Sequence, residues 1–468
     1  MPVADYEPVI GLEVHAQLLT RTKIFCGCPT DFGAAPNTQV CPVCLGLPGA
    51  LPTLNRAVVE LAIRAGKAFG CSIAGRSVWA RKNYFYPDLP KGYQISQYEL
   101  PICRGGFVDV PGLRKVPLTR IHLEEDAGKS VHAAGGSEVD LNRSGVPLIE
   151  IVGEPALRSA EEASEYLKAL RLALLYLGVN DGNMEEGSFR CDANVSVRRR
   201  GQTALGTRVE LKNINSFRFV RQAIDLEIGR QVAAIESGER IRQETRLFDH
   251  DKGETRAMRS KEEANDYRYF PDPDLPQLLV SRAWIERVQV PKLPPEAMED
   301  LLRAGVAAAD ARTVVADPRL FALHGRIGGD AKRAAHFIVG DLARAVNAGE
   351  AEPGALMFEA SSIAAVWRLQ DAGTISSTAA REVLAEVIRT GKAPALIVEE
   401  KGLAQISDTA ALESVAEAIL ARFPGEVEKH RAGKKDLIGF FVGAAMKEMK
   451  GKGNPAAFNA LFRARLSG

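Results

Sequence analysis

The feature that most constrains the fold is a set of four segments, residues 9–18, 120–126, 188–198 and 208–212, in which polar and apolar residues alternate. Successive side chains of a β-strand point to opposite faces of its sheet, so the alternation predicts four strands that share a polar face. The polar positions are Glu13, His15, Gln17, Arg120, His122, Glu124, Asp126, Ser188, Arg190, Asp192, Asn194, Ser196, Arg208, Glu210 and Lys212. The glycine-containing link between the last two segments predicts an antiparallel hairpin.

These polar positions have an unusual composition for a protein surface. A solvated sheet face explains the polar residues of any one of the four strands taken alone. Taken together, they are rich in His, Asp, Glu, Asn and Arg, whereas solvated faces are usually built from Lys, Glu, Thr and Ser. Carboxylates are ligands for Mg²⁺, and Arg or Lys neutralises a transferring phosphoryl group. The sequence therefore predicts a concave polar sheet that binds a nucleotide together with a metal ion.

The nucleotide is not expected to bind through a P-loop. The Ala-Gly-Lys-Ser stretch around Gly128 resembles the end of one, but Leu123 stands where its first glycine would be. Two helices are indicated near the strands. Ser159 begins a capping box for a helix that ends at Gly178, and a second helix is predicted over residues 216–238. Both are expected to pack on the apolar faces of the strands.

Four of the seven cysteines form a Cys-x-Cys-x12-Cys-x2-Cys cluster, namely Cys26, Cys28, Cys41 and Cys44. In a chain without a secretion signal, such clustering favours a tetrahedral zinc site over disulfides. Redox pairing and unliganded thiols remain alternatives. Four thiolates leave zinc no open coordination position, so the predicted role is structural. The other cysteines, Cys71, Cys103 and Cys191, are expected to be small core residues.

The chain changes character at about residue 293. All seven cysteines and all nine tyrosines precede it, whereas the following part is rich in alanine with apolar residues at helical spacing. Prolines between residues 271 and 295 mark the boundary. We predict an α+β chain with a mostly antiparallel sheet in residues 1–293, a helical domain in 294–404 and a small helical tail domain in 405–468. No apolar run is long enough to span a membrane and the N-terminus has no signal pattern, so a soluble cytoplasmic protein is expected.

The net charge of +1 conceals an uneven distribution. Residues 294–428 contain 13 basic and 20 acidic residues, whereas residues 429–468 contain 9 basic and 2 acidic residues. The basic tail, with Lys429, Arg431, Lys434 and Lys435 at its start, is a candidate RNA contact, although charged runs are usually solvated faces. A near-neutral total is therefore compatible with a nucleic-acid substrate.

Six motifs resemble, in order, those of the B-subunit family of aspartyl/glutamyl-tRNA(Asn/Gln) amidotransferases. They are Ile-Gly-Leu-Glu-Val-His at 10–15, Arg-Lys-Asn-Tyr-Phe-Tyr-Pro-Asp-Leu-Pro-Lys-Gly-Tyr-Gln-Ile-Ser-Gln at 81–97, Leu-Glu-Glu-Asp-Ala-Gly-Lys at 123–129, Gly-Ser-Phe-Arg-Cys-Asp-Ala-Asn at 187–194, Glu-Leu-Lys-Asn-Ile-Asn-Ser at 210–216 and Gly-Lys-Lys-Asp-Leu-Ile-Gly-Phe-Phe-Val-Gly at 433–443. The last resembles the YqeY-like module that ends members of this family. The resemblance covers essentially the whole chain.

The resemblance implies a ligase that works as a heterotrimer, in which the other two chains are an amidase-like A subunit and a small C subunit. Such a complex phosphorylates the side-chain carboxylate of Asp-tRNA(Asn) or Glu-tRNA(Gln) with ATP and Mg²⁺, and ammonia released from glutamine then forms the amide. The sequence contains neither a Gly-rich Ser-Ser amidase motif nor a Gly-x-Cys-x-Gly elbow, so the ammonia must come from another chain.

The resemblance also assigns roles to particular residues. Those implied for catalysis are Glu13, His15, Glu124, Glu125 and Lys82; those for ATP and Mg²⁺ are Glu13, His15, Glu124, Glu125, Asp192 and Asn213; those for an ammonia tunnel are Lys82, Tyr84, Tyr86, Gln94 and Ser96. From the residues alone, the stretch 81–97 is equally well explained as a rigid loop over a sheet edge. Strand alternation pairs Glu124 with Asp126, whereas the family motif pairs Glu124 with Glu125, so a bulge at Glu125 or a strand end there is expected.

Two other functional classes fit part of the sequence. A non-catalytic RNA-binding scaffold would use the cysteine cluster and the basic tail but not the acidic strands. A tRNA-independent ligase that resembles glutamine synthetase would use the strands but not the tail. The tRNA dependence of ATP hydrolysis distinguishes these classes.

Overall fold

The structure is a computed structural model, and it describes residues 5–133, 135–258, 267–352, 354–405, 409–449 and 453–466. The chain forms two compact units, Met1–Glu296 and Ala297–Gly468. The first is a sheet with flanking helices and the second is helical, which confirms the predicted α+β class.

The first unit contains the strands of the molecule among its described residues. They are β1 (Tyr6–Gln17), β2 (Ser72–Ile73), β3 (Arg76–Ser77), β4 (Ala80–Asn83), β5 (Tyr93–Ser96), β6 (Cys103–Arg104), β7 (Phe107–Asp109), β8 (Lys115–Glu125), β9 (Lys129–Ala133), β10 (Gly136–Asp140), β11 (Pro147–Gly153), β12 (Phe189–Arg199), β13 (Val209–Lys212), β14 (Thr245–Asp249), β15 (Glu254–Ala257), β16 (Phe270–Pro271) and β17 (Leu278–Leu279). The helices are α1 (Arg56–Ala68), α2 (Ala160–Tyr176), α3 (Phe217–Glu236) and α4 (Arg282–Arg287).

The main sheet has the strand order β15-β14-β13-β12-β1-β11-β8-β6-β2, with β7 also paired to β8. The four segments with alternating residues lie in β1, β8, β12 and β13, and the pairing of β12 with β13 is antiparallel as predicted. Only the β13–β14 pair is parallel among the described pairs of this sheet. A strand that the alternation does not reveal, β11, lies between β1 and β8.

The link from β12 to β13 depends on a glycine. A Cβ at Gly206 would lie 2.2 Å from the Val197 carbonyl oxygen, which is closer than non-bonded atoms approach. Any larger residue would push the link away from β12. The hairpin therefore requires a residue without a side chain at this position.

The two predicted helices, α2 and α3, lie against the sheet. Ser159 accepts a hydrogen bond from the Glu162 N–H at the start of α2, and Ser216 accepts one from the Phe219 N–H at the start of α3. The Glu162 carboxylate in turn accepts a hydrogen bond from the Arg158 N–H. Apolar side chains of α1, α2 and α3 share one core with the inward residues of β1, β8, β11 and β12. The opposite face of the sheet is left for polar side chains.

The second unit consists of helices. They are α5 (Pro294–Arg303, which begins in the first unit), α6 (Ala308–Val315), α7 (Pro318–Ile327), α8 (Ala331–Phe337), a π-helical turn (Ile338–Leu342), α9 (Ala343–Asn347), α10 (Ala360–Asp371), α11 (Ser377–Thr390), α12 (Pro394–Glu400), α13 (Thr409–Arg422), α14 (Pro424–Arg431), a 3₁₀ turn (Lys435–Leu437), α15 (Ile438–Glu448) and α16 (Pro455–Leu466). Helices α13, α15 and α16 have a hydrophobic core of their own, which includes Phe441, Phe458 and Phe462. In the described part of the chain, no helix combines the length and apolarity needed to cross a bilayer.

Candidate active site

Three side chains from three neighbouring strands meet on the polar face of the sheet. His15 of β1 lies opposite Glu150 of β11, and Leu148 of β11 lies opposite Glu124 of β8. His15 Nε2 is 3.5 Å from a carboxylate oxygen of Glu124 and 3.5 Å from one of Glu150. Their potential ligand atoms all lie within 4.8 Å of one another. The spacing is compatible with one metal ion held by two carboxylates and an imidazole.

His122 supports this group from β8. Its Nε2 lies 3.2 Å from Glu150 and 3.8 Å from Glu124. Burial opposes a charge on His122, but the attraction of Glu150 and bonds with both carboxylates outweigh it and raise the pKa of His122 to about 9. Burial likewise opposes the charge on Glu150, but His122 and His15 hold its pKa well below the usual value. The protein therefore keeps both carboxylates ionised inside the fold.

A second acidic group lies across the sheet on β1, β12 and β13. Glu13 accepts a hydrogen bond of 2.9 Å from the Asn194 amide, and Glu210 accepts one of 2.8 Å from the Thr245 hydroxyl. Lys212 Nζ forms an ion pair with Asp192 and lies 3.8 Å from Glu210. The strand register pairs Glu13 with Asp192, so these carboxylates continue the polar face beyond His15.

Lys82 of β4 covers the other side of the group. Its Nζ lies 4.9 Å from the centre of the Tyr267 ring and 5.9 Å from that of Tyr84. Burial opposes its charge, but the attraction of Glu124 raises the pKa of Lys82 above the usual value. Lys82 is therefore a permanent positive charge beside the acidic group.

Together these residues surround a cavity of about 370 Å³. Its lining consists of Glu13, His15, Lys82, Tyr86, Ser96, Gln97, Tyr98, Arg120, His122, Glu124, Glu150, Asp192, Glu210, Lys212, Thr245, Met258, Tyr267 and Tyr269. The implied residues Glu13, His15, Lys82, Glu124 and Asp192 are thus brought together, with Tyr86 and Ser96 beside them.

Glu125 points away from this cavity. Its carboxylate binds Lys91 Nζ and accepts a 2.8 Å hydrogen bond from the Ile95 N–H. The pairing of β8 with β11 is regular from Ile121 to Glu125, so of the two arrangements expected there, a bulge or a strand end, the bulge is absent. The strand does end at Glu125, but this does not bring the Glu125 carboxylate to the face of Glu124. Simple alternation holds, and Asp126 returns to the polar face.

Asp126 belongs to a separate network on that face. It accepts 3.0 Å hydrogen bonds from the Gln17 amide and the Arg190 guanidinium. Burial opposes its charge, but Arg190 and Arg143 hold the pKa of Asp126 below its usual value. The network connects the ends of β1, β8 and β12 beside the cavity.

Three other implied residues lie outside the lining of the cavity. Asn213 adopts a left-handed backbone with φ of 63°, and its amide donates to the Phe248 carbonyl. The Tyr84 hydroxyl donates to Gln94 Oε1, and the Gln94 amide donates to the Glu125 carbonyl. These side chains make bonds within the fold rather than facing the cavity.

Glu150 belongs to the site although no sequence pattern singled it out. It is the one charged residue in the strand Pro147–Gly153. A lone carboxylate in an apolar strand is the signal that could have found it, because an ionised group is rarely buried without a partner. His122, Glu210 and Lys212 were recognised only as members of the alternating polar face. Tyr267 and Tyr269 carried no signal in the sequence.

The four clustered cysteines also meet. The sulfur atoms of Cys26, Cys28, Cys41 and Cys44 all lie within 4.8 Å of one another. A four-sulfur group of this size fits a tetrahedral zinc ion. It adjoins a smaller cavity of about 210 Å³ whose lining includes Cys26, Cys44, Lys91, Ile95 and Glu125.

The basic start of the tail is exposed. Lys429 and Arg431 lie in the last turn of α14, and Lys434 follows it. Lys429 Nζ lies 3.4 Å from Glu426. The side chain of Lys435 lies outside the described residues. The exposed charges on this segment are accessible to an anionic partner.

Two family models match the chain, the GatB/GatE catalytic domain over residues 8–286 and the GatB domain over residues 320–466. The chain is 61% identical to the aspartyl/glutamyl-tRNA(Asn/Gln) amidotransferase B subunit of an Anaeromyxobacter species, over the full length of both chains. Proteins of the same name from Myxococcus xanthus and Geobacter sulfurreducens are 56% and 54% identical; they cover 100% and 99% of this chain, and the match spans their whole length.

Proposed function

The chain belongs to the GatB/GatE family, and on that premise we propose that it is the B subunit of a glutamine-dependent tRNA amidotransferase, a carbon–nitrogen ligase of protein biosynthesis. Its substrates are Asp-tRNA(Asn) or Glu-tRNA(Gln), and its products are Asn-tRNA(Asn) or Gln-tRNA(Gln). The observation that carries the proposal is the group formed by the half-buried His15 and the buried Glu124 and Glu150 beside Lys82. It combines ligands for a divalent ion with a fixed positive charge, which is what phosphoryl transfer requires.

The donor atoms suit Mg²⁺ or Mn²⁺. Glu124 and Glu150 offer hard oxygen ligands, and His15 offers one nitrogen. When bound, the ion neutralises charge on the nucleotide phosphates. We assign Glu13 and Asp192 to ATP and metal binding as well, because they continue the acidic face on adjacent strands. Lys212 balances part of that negative charge.

The reaction needs an activated carboxylate, because a carboxylate at neutral pH is a poor acceptor for ammonia. A side-chain oxygen of the aminoacyl group attacks the γ-phosphorus of ATP, and ADP leaves. Ammonia then attacks the acyl carbon, the bond between that carbon and the phosphate oxygen breaks, and the phosphate leaves with the proton lost from nitrogen. Lys82 reduces the repulsion between the substrate carboxylate and the phosphates, since it stays charged beside Glu124. The buried walls limit hydrolysis of the acyl phosphate by water.

The two cavities suggest how ammonia reaches the acyl phosphate. Ile95 and Glu125 line the smaller cavity, whereas their chain neighbours Ser96 and Glu124 line the larger one. β5 and β8 therefore form a wall with the phosphorylation site on one side. We assign the smaller cavity to the ammonia route from the amidase-like A subunit. Lys82, Tyr86 and Ser96, which line the larger cavity, are the proposed tunnel residues at the exit of this route. Tyr84 and Gln94, which hydrogen-bond to each other and through Gln94 to the Glu125 carbonyl, are the proposed tunnel residues within the wall.

Partners and domains complete the proposal. The A and C subunits form the heterotrimer with this chain in the cytoplasm, and zinc in the four-cysteine group has a structural role. Residues 1–293 form the catalytic domain, residues 294–404 a helical domain, and residues 405–468 a tRNA-binding tail domain. The separate core of α13, α15 and α16 supports the last assignment. Lys429, Arg431, Lys434 and Lys435 are the proposed phosphate contacts.

The decisive experiment measures ATP hydrolysis by the reconstituted complex with and without Asp-tRNA(Asn) or Glu-tRNA(Gln). Stimulation by the misacylated tRNA, together with formation of the amide, supports the proposal. Turnover of free glutamate without tRNA would indicate a ligase that resembles glutamine synthetase. Binding of tRNA without any ATP hydrolysis would indicate a scaffold.

A further inference from the structure

Lys23 is a lysine whose side chain is completely buried, next to the four-cysteine group. Its Nζ donates to the Gln39 carbonyl at 2.8 Å and to the Leu141 carbonyl at 3.4 Å. It also lies 3.7 Å from Cys44 Sγ. Among the described residues, no carboxylate oxygen lies within the 4.0 Å of an ion pair with this Nζ. Lys23 is therefore a buried cation that the fold does not pair with an acidic side chain.

A buried ammonium group is costly unless an opposite charge lies beside it. Two backbone carbonyls accept two of its three hydrogens but carry no net charge. The Cys44 sulfur is its remaining polar neighbour, and a neutral thiol would not compensate the charge. A zinc ion with four thiolates is a doubly negative centre, which would compensate it.

We infer that Lys23 supplies the counter-charge of the four-thiolate zinc centre and so holds the metal in place. The inference rests on the zinc site proposed above. Lys23 also ties together the two chain segments that flank the centre, because Gln39 precedes Cys41 in sequence and Leu141 belongs to a distant part of the chain. The lysine is thus a positioning residue that acts through Cys44 and not a zinc ligand.

The charge can be separated from the hydrogen bonds by two substitutions. Lys23→Met keeps the length of the side chain but removes both the charge and the donors. Lys23→Gln removes the charge but keeps a donor. If the charge holds the metal, both variants bind zinc about 10- to 100-fold more weakly, as is typical when a partner of a metal ligand is lost, and release it faster to a chromogenic chelator.

Lys67→Met is the matched control. Lys67 Nζ also donates to two backbone carbonyls, those of Ile285 and Val288, but Lys67 is not within hydrogen-bond distance of a described thiol. We expect its zinc release to equal that of the wild type, even if its thermal stability falls. Any general effect of losing a carbonyl-bound lysine would appear in this variant as well.

The measurements use the full chain within the complex, with zinc content determined by mass spectrometry and folding by circular dichroism. If either folded Lys23 variant released zinc at the wild-type rate, the inference would be overturned. A wild-type chain that neither contains nor takes up zinc would also overturn it. Both outcomes are independent of amidotransferase activity, so they leave the proposed function to its own experiment.

Discussion

Glu124 and Glu125 are adjacent in sequence but point to opposite sides of β8, and their substitutions should have different effects. Glu124→Gln removes one negative charge from the metal group. A unit charge on a ligand oxygen about 2 Å from a divalent ion contributes roughly 17 kcal/mol at an effective dielectric constant of about 20, before the cost of desolvating both partners is subtracted. Gln keeps one oxygen ligand and is less costly to bury, so we expect a net loss of about 3 kcal/mol, which corresponds to roughly 150-fold weaker ion binding.

The assay is a titration of the reconstituted complex with Mn²⁺, followed by electron paramagnetic resonance, since Mn²⁺ replaces Mg²⁺ in most oxygen-rich sites. ATP hydrolysis stimulated by misacylated tRNA is measured in parallel. Glu124→Gln should reduce both metal affinity and tRNA-stimulated hydrolysis.

Glu125→Gln is the control that the chain itself offers. Glu125 binds Lys91 and the Ile95 N–H on the other side of the wall. We expect its Mn²⁺ affinity to remain within about threefold of the wild type, because the Lys91 ammonium already pairs with the Glu125 carboxylate and offsets its charge at the metal group. Amide formation should fall more than ATP hydrolysis, because Glu125 lies on the proposed ammonia side. Equal losses of metal affinity in the two variants, or an unchanged affinity in Glu124→Gln, would refute the assignment of Glu124 to the metal.

Three further predictions concern the zinc site, Asn213 and the tail. Cys44→Ser should abolish stoichiometric zinc, because the site loses one of its four thiolates, and elemental analysis checks this. Asn213→Gly should change the free energy of unfolding by less than about 1 kcal/mol, whereas Asn213→Val should cost roughly 1–2 kcal/mol, because Gly and Asn tolerate a positive φ and a β-branched residue does not. Denaturant unfolding tests this, and a raised KM for ATP in Asn213→Gly would show that Asn213 binds nucleotide. Deletion of residues 405–468 should weaken the binding of aminoacyl-tRNA and make that binding less dependent on salt, while the complex still assembles. Unchanged tRNA affinity in a gel-shift titration would contradict the role of the tail.

The alternation of polar and apolar residues determined much of the site. Glu13, His15, Glu124 and Asp192 were assigned to polar strand faces from sequence period alone, and the fold brings them to one cavity. The same period placed Asp126, and not Glu125, on the face of Glu124. The period is local, because each strand residue points opposite to its neighbour whatever the rest of the chain does.

The order of the strands in the sheet is a tertiary property. It decided which polar side chains meet in the metal group, which the period of the sequence could not. Glu150 reaches the metal group because β11 lies between β1 and β8, and no local pattern specifies which strands become neighbours. Lys82 lies beside the metal group because the small β4–β5 sheet lies over the polar face. The Asn213 side chain lies outside the cavity because its backbone turns at a positive φ.

For the cysteine cluster as well, the sequence and the tertiary structure determined different features. Its spacing predicted a four-sulfur group, since short intervals keep ligands close along the chain. The uncompensated charge of Lys23 beside it could be recognised only in the folded chain, because burial depends on every element that packs around the side chain. The sequence by itself determined the faces, the ligand types and the helical second half, whereas tertiary packing decided which of these groups share a cavity and which charges must be balanced there.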